Sequence, residues 1–119
     1  MLALVADARV AVDGAGIALP EIDLGMPTYT GAAIVMQIAG HALGVDLVQT
    51  GRRMPAGEAL TRGLLSCVVP ADELDAVALR VVASLAEKDP KTFASNKQWL
   101  NRPMKAALAG ARVENERHR

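Results

Sequence analysis

Cysteine is almost missing from this sequence. Cys67 stands alone in 119 residues, so neither an internal disulfide nor a cysteine-based metal cluster can form, which fits a reducing compartment. Aromatic residues amount to only 3% against 51% hydrophobic residues. The core must therefore be built from Ala, Val and Leu, and small aliphatic side chains favour closely packed helices. Net charge is also absent: 13 basic residues cancel 13 acidic ones, leaving no overall positive field to hold a nucleic-acid backbone or an anionic membrane surface. Local basic bias is confined to "GRR" at Gly51–Arg53 and "RHR" at Arg117–Arg119. No apolar run approaches the roughly 18 residues needed to span a bilayer. The opening "MLALVADARVAVDGAG" lacks a basic start and carries Asp7 and Arg9 within its apolar stretch, so it reads as folded structure rather than a signal peptide. Zincin, nucleophile-elbow and phosphate-loop patterns do not occur either, and no metal site is expected. These absences predict a soluble, cytoplasmic protein with neither nucleic acid nor membrane as a partner.

A chain of this length makes one domain. "DARVAV" alternates enough for a strand, "DGAG" at Asp13–Gly16 is turn chemistry, and "IALPEIDLG" reads as a second extended segment in which Pro20 pushes Leu19 towards β geometry. "MPTYTG" is a loop. From Ala32 to Gly40 the residues are apolar almost all round, predicting a buried helix. A second helix covers Ala42 to Gln49 with Gly51 at its stop, and "MPAGEALTRG" gives a short third with Pro55 in its first turn and Gly63 after its end. "LLSCVVP" is a strand candidate. Leu74, Val77, Ala78, Val81, Val82 and Leu85 then fall on one helical stripe, with Asp72 and Glu73 in the first turn and Asp89-Pro90 as the stop. The last helical region carries Phe93, Lys97 and Leu100 at one-turn spacing, restarts at Pro103, and is expected to bury Met104, Ala107, Leu108 and Ala111.

Few residues are candidates for chemistry. Ser66 and Ser95 have no acid-base neighbours in sequence, His41 sits between two helices, and His118 lies in a tail expected to fray. Arg52 and Arg53 read as a solvated cap of the preceding helix or, less economically, as phosphate contacts. Glu21 differs. It follows Pro20 among Ile17, Leu19, Ile22 and Leu24, so it is either the solvated end of a strand or a partly desolvated carboxylate suited to proton transfer.

The order of the motifs resembles the crotonase superfamily, the enoyl-CoA hydratase/isomerase group. The likeness runs through "ADARVA" (Ala6–Ala11), "LPEIDLG" (Leu19–Gly25), "TGRRMPAGEALTRGLLSCVVPADEL" (Thr50–Leu74) and "KQWLN" (Lys97–Asn101). It covers nearly all of this chain but only the second half of a usual member. The resemblance implies a helix-rich α/β fold, the C-terminal part of a crotonase-like spiral ββα fold in which short N-terminal strands precede several helices. Residues 1–70 would end the core and residues 71–119 would form a truncated C-terminal helical region. The implied substrate is an acyl-CoA thioester, with coenzyme A arriving as part of the substrate and no separate cofactor. Homo-oligomers, trimers or hexamers, are implied as well.

Family members stabilise a thioester enolate in an oxyanion hole of two backbone N–H groups, and both donors belong to the half not matched here. Of the two catalytic glutamates in the hydratases, the one in "PE" corresponds to Glu21, and the other position falls at Met1, which cannot move protons. Glu21 is thus implied as the proton-transfer carboxylate. Leu19, Gly25, Pro27 and Tyr29 would line the substrate pocket, and Lys97 and Phe93 would lie at the coenzyme A end. The loop "MPTYTGAA" is one residue shorter than usual and has Thr28 and Tyr29 where small residues are common, so Tyr29 would fill the acyl pocket or orient a polar acyl group. With Met1 in place of an acid, isomerisation, thioester hydrolysis or decarboxylation fits as well as hydration. A non-catalytic oligomerisation fragment is the remaining alternative, in which helices normally covered by the other half are shared between chains.

Overall fold

The computed structural model describes residues 2–118. A one-turn 3-10 helix, Leu2–Val5, leads into β1 (Val10–Val12), which pairs in parallel with a strand far along the chain, Cys67–Val69, with Val10 opposite Cys67 and Val12 opposite Val69. Arg9 fixes this junction. Its Nε donates to the Leu64 carbonyl (2.6 Å), its Nη1 to the Ala6 carbonyl (2.9 Å), and its backbone N–H to Ser66 Oγ (3.0 Å). The turn at Asp13–Gly14 delivers β2 (Gly16–Ile17), antiparallel to β3 (Met54–Pro55). Pro55 is tolerated because this two-stranded ladder leaves its side without a partner strand.

The chain then departs from expectation. The segment predicted to be extended breaks at Pro20 into a 3-10 helix, Pro20–Leu24. The fixed φ of proline serves the first helical position as well as an extended one. Leu19 stays out of the helical region, as a residue before proline should, but falls short of a full strand geometry (φ −128°, ψ 76°), and Gly25 at φ 69° closes the turn with its N–H on the Glu21 and Ile22 carbonyls. Glu21 therefore sits inside a helical turn, not at a strand end.

Two helices follow at the predicted places: α1 (Thr30–Ala39) and α2 (His41–Thr50), separated by Gly40 at φ 98°. Helix α1 is not buried all round; Gly31, Ala33, Ile34 and Val35 face inward while Met36 and Gln37 are exposed. Helix α3 (Ala56–Thr61) starts after Pro55, which occupies the cap position rather than the first turn, and β4 is the Cys67–Val69 partner of β1. Leu19, Ile34, Val35, Leu43, Leu47, Met54, Ala59 and Leu64 form one core between these elements.

Helix α2 ends on Gly51 at φ 65°, where an added Cβ would lie 3.0 Å from Ile22 Cγ2 and from Asp23 Oδ2. Gly51→Ala therefore combines left-handed strain with a clash against the Glu21 turn. It should lower stability by about 1–2 kcal/mol, read as a fall in urea midpoint at unchanged slope.

The C-terminal third is looser. A 3-10 turn, Ala71–Glu73, opens α4 (Leu74–Ala86), followed by α5 (Pro90–Leu100) and α6 (Arg102–Arg117). The α4 stripe read from the sequence is only half covered: none of its residues is buried, and Val82 is 62% exposed. Helix α5 buries nothing either, leaving Trp99 and Leu100 at 68% and 72% exposure with the Arg102 guanidinium 5.2 Å from the indole centre. Helix α6 packs on α1, but of the four residues expected to be buried only Ala111 is; Met104, Ala107 and Leu108 are half-buried. The radius of gyration, 15.7 Å, exceeds the roughly 13.5 Å of a compact domain of this length, as expected when α4 and α5 leave apolar faces uncovered. No helix among the described residues is long and apolar enough to cross a membrane.

Candidate functional site

Glu21 is held by backbone geometry. Pro20 starts its turn, Gly25 ends it, and the Met26 N–H donates to the Glu21 carbonyl at 3.0 Å. The residue is half-buried, and its Oε2 is sealed from solvent without a hydrogen-bond partner among the described residues. Thr28 Oγ1 shares that condition. An added Cβ on Gly31 would come 3.0 Å from Thr28 Cγ2 and 3.1 Å from Leu19 Cδ2, so the absence of a side chain at Gly31 lets Thr28 and Leu19 close over the start of α1. Thr28 stood out in the sequence only as a departure from the small residues common in this loop; nothing there marked its hydroxyl as buried and unpartnered.

The other pocket candidates divide. Leu19 is buried in the core at 3% exposure, beneath the Glu21 turn. Gly25 and Pro27 are exposed, and Tyr29 is half-buried as the residue before α1. A groove of about 450 Å³ lies to one side, lined by Leu4, Arg9, Val10, Gly16, Ile17 and Leu65 among others, and includes none of these loop residues. At the proposed coenzyme A end, Phe93 lines a shallow groove with Asp7 and Leu85, while Lys97 Nζ is paired with Asp7 Oδ2 at 3.0 Å. The structure thus brings Lys97 and Phe93 to the N-terminal segment, away from the loop that carries Glu21 and Tyr29.

Of the two arginines after α2, Arg52 is taken up by carboxylates of the chain. Arg52 donates through Nε and Nη2 to Asp46 (2.9 and 2.7 Å) and through Nη1 and Nη2 to Glu58 (3.0 and 2.6 Å), and Arg62 adds 2.7 Å to Asp46 and 3.3 Å to Glu58. Arg53 Nη2 caps the Gly14 carbonyl at 2.8 Å. The network ties α2 to α3. Hydrogen bonds from Arg52, then Arg62, hold the Asp46 carboxyl well below the usual carboxylate range, and Arg52 does the same to Glu58 against a smaller opposing effect of burial.

Carboxylates with a folded pKa below the unfolded one stabilise fully above the unfolded value, and that contribution is lost as pH falls through the folded one. The urea midpoint should accordingly decline as pH drops below about 5. Arg52→Gln should flatten that decline, leaving the parts due to the Arg62 bonds to Asp46 and Glu58 and to Asp89, whose carboxyl is lowered by the Thr92 hydroxyl and backbone N–H. An identical acid slope in wild type and variant would contradict this account.

His118 caps the end of α6 and lies against Tyr29. Its ring lies 5.6 Å from that of Tyr29, tilted by 34°. Among the described residues no group of three or more His, Cys, Asp or Glu side chains could hold a metal ion.

Comparison with known proteins bears on the whole chain. The family model for enoyl-CoA hydratase/isomerase matches residues 1–118. A "probable enoyl-CoA hydratase" of Mycobacterium tuberculosis is 35% identical over 109 residues, 91% of this chain and 42% of that protein. The 2,3-dehydroadipyl-CoA hydratase of Escherichia coli is 34% identical over 117 residues, 97% of this chain and 46% of its own length. Among solved structures, an enoyl-CoA hydratase from Mycobacterium avium subsp. paratuberculosis superposes with a TM-score of 0.84 at 32% identity, covering 92% of this chain and 45% of that one. The chain spans less than half the length of these relatives, yet the likeness runs almost from end to end of it and extends from sequence to fold. It belongs to the enoyl-CoA hydratase/isomerase family, the crotonase superfamily.

Proposed function

We propose that this chain supplies the proton-transfer part of an acyl-CoA active site, with Glu21 giving or taking a proton on the acyl chain of a thioester whose enolate is held by donors outside residues 1–119. The observation that carries this reading is the buried Glu21 Oε2 with no partner. An unpaired buried acceptor costs about 1–3 kcal/mol, more when charged, and folded chains keep few such groups without a use for them. Oε2 accepts no protein hydrogen bond, so no donor in the chain commits the carboxyl group to the fold; being sealed, it exchanges a proton with a ligand only if the turn shifts, and otherwise the exchange falls to Oε1. Hydration in this scheme adds the water oxygen to the carbon β to the thioester and a proton to the α carbon, the electron pair passing through the enolate. The relatives named as enoyl-CoA and dehydroadipyl-CoA hydratases support an acyl-CoA substrate. Coenzyme A would enter with it, and no further cofactor is invoked. Isomerisation or another enolate reaction would use the same carboxylate.

The non-catalytic reading is favoured by a different observation, the exposed apolar residues Leu79, Val82, Trp99 and Leu100 of α4 and α5, which would suit association of copies into a trimer or hexamer. The two readings part on activity. Residues 1–119 alone should not accelerate hydration of crotonyl-CoA, since preorganised oxyanion donors are usually the largest catalytic term. A chimera joining them to the preceding half of the Escherichia coli relative should do so, followed by loss of the enoyl thioester absorbance. Turnover by the isolated chain, or a folded chimera inert towards acyl-CoA thioesters, would overturn the proposal.

A further inference from the structure

The last two turns of α6 reach the loop that follows Glu21. Met104, Leu108 and Ala111 lie on the face of α6 turned to the core, and helical spacing continues that face to Asn115 and His118. There the face becomes polar at the point where it meets the loop. Asn115 Nδ2 donates to Thr30 Oγ1 at 3.0 Å, and the His118 ring packs on the Tyr29 ring at 5.6 Å. Glu114 Oε2 stands 3.6 Å from His118 Nε2, one turn earlier on the same helix. Tyr29 itself caps α1 through its carbonyl, accepting from the Ala33 N–H at 2.9 Å, and its side chain forms no cap bond. The backbone therefore fixes where Tyr29 begins, and α6 holds where its ring ends.

We propose that His118, assisted by Asn115, is a positioning residue for Tyr29 and through it sets how strongly the site prefers an acyl thioester to free coenzyme A. This rests on the reading of the loop after Glu21 as the wall of the acyl pocket. Neither residue need touch a ligand. His118 holds the ring of Tyr29 by a tilted ring contact, and Asn115 pins the adjoining first residue of α1, so the two prevent the loop from turning as a unit. An aromatic pair of this kind is worth roughly a two- to tenfold change in the population of one ring position, which is the scale on which selectivity should move.

Tyr29 is the only tyrosine in the sequence, so tyrosine-selective isotope labelling of the full 119-residue chain gives one set of ring resonances. These are to be followed in wild type, His118→Ala, His118→Phe and Asn115→Ala, first without ligand and then titrated with crotonyl-CoA and with coenzyme A. Circular dichroism would confirm folding. The expected result is that His118→Ala shifts the Tyr29 resonances and lowers the preference for crotonyl-CoA over coenzyme A by roughly two- to tenfold. His118→Phe should restore both, and Asn115→Ala should give a smaller change in the same direction. Tyr29 resonances unmoved by His118→Ala would overturn the positioning role. Resonances that move with the preference unchanged would overturn the selectivity role. Wild-type resonances indifferent to crotonyl-CoA would remove the pocket reading and the selectivity role together, a pattern separable from the other two because the ligand-free shift would survive.

Discussion

Glu21→Gln in the active chimera is expected to lower kcat/KM for crotonyl-CoA by roughly 10²- to 10⁴-fold while leaving thermal stability unchanged or raised. Glutamine keeps the length and planarity of the side chain, so the turn set by Pro20 and Gly25 should hold it in the same place. What it loses is the ability to exchange a proton. Stability should move the other way because Oε2 has no protein donor to lose, and a neutral amide is easier to bury than an unpaired carboxylate. A residue present for the fold behaves in the opposite manner, costing stability when changed and leaving chemistry alone. Activity that survived Glu21→Gln within threefold, or a large fall in melting temperature, would show that the carboxylate serves the turn and not the reaction. The association reading predicts no effect of the substitution on any rate.

The isosteric exchange should act on either reaction alike. If the chimera isomerises an enoyl thioester faster than it hydrates one, the loss should appear in isomerisation to the same extent, since both reactions pass a proton at the acyl chain.

How much of this could be read from the sequence depends on where local signals agree with tertiary ones. Helices α1 and α2 were legible because Gly40 and Gly51 punctuate apolar stretches, and α4 because of its apolar stripe; Asp89-Pro90, read as its stop, instead caps and begins α5, α4 having ended at Ala86. Pro20 was ambiguous, since one fixed φ suits both an extended chain and the first residue of a helical turn; Gly25, five residues on, decides between them. The Glu21 carboxylate was legible as a candidate from its apolar neighbours, and the family resemblance gave it a role. Its missing partner was not legible, because an orphaned oxygen depends on what packs over it. The Asp46–Arg52–Glu58–Arg62 network has no sequence period, being assembled from the end of α2, the following turn and α3. The contact of His118 with Tyr29 joins residues at opposite ends of the chain.

The core offers the largest expected effect on stability. Leu47 is fully buried, and through its carbonyl it accepts the Gly51 N–H (3.1 Å) that ends α2 against Ile22 and Asp23. Leu47→Ala would open a cavity between α1, α2 and the Glu21 turn, a change that costs about 2–5 kcal/mol depending on how far the surroundings collapse. Domains of this size hold only about 5–15 kcal/mol in all, and α4 and α5 contribute no buried side chain to this one. The melting temperature should fall by on the order of 10 °C or more. Val82→Ala provides the contrast. Periodicity places Val82 on the same kind of apolar stripe, but it is 62% exposed, so truncating it should stay within about 0.5 kcal/mol. Equal losses at the two positions, measured by urea unfolding of the 119-residue chain, would mean that the α4 face is covered in solution. The strength of the Val82 effect would then rise with protein concentration if a second copy supplies the cover.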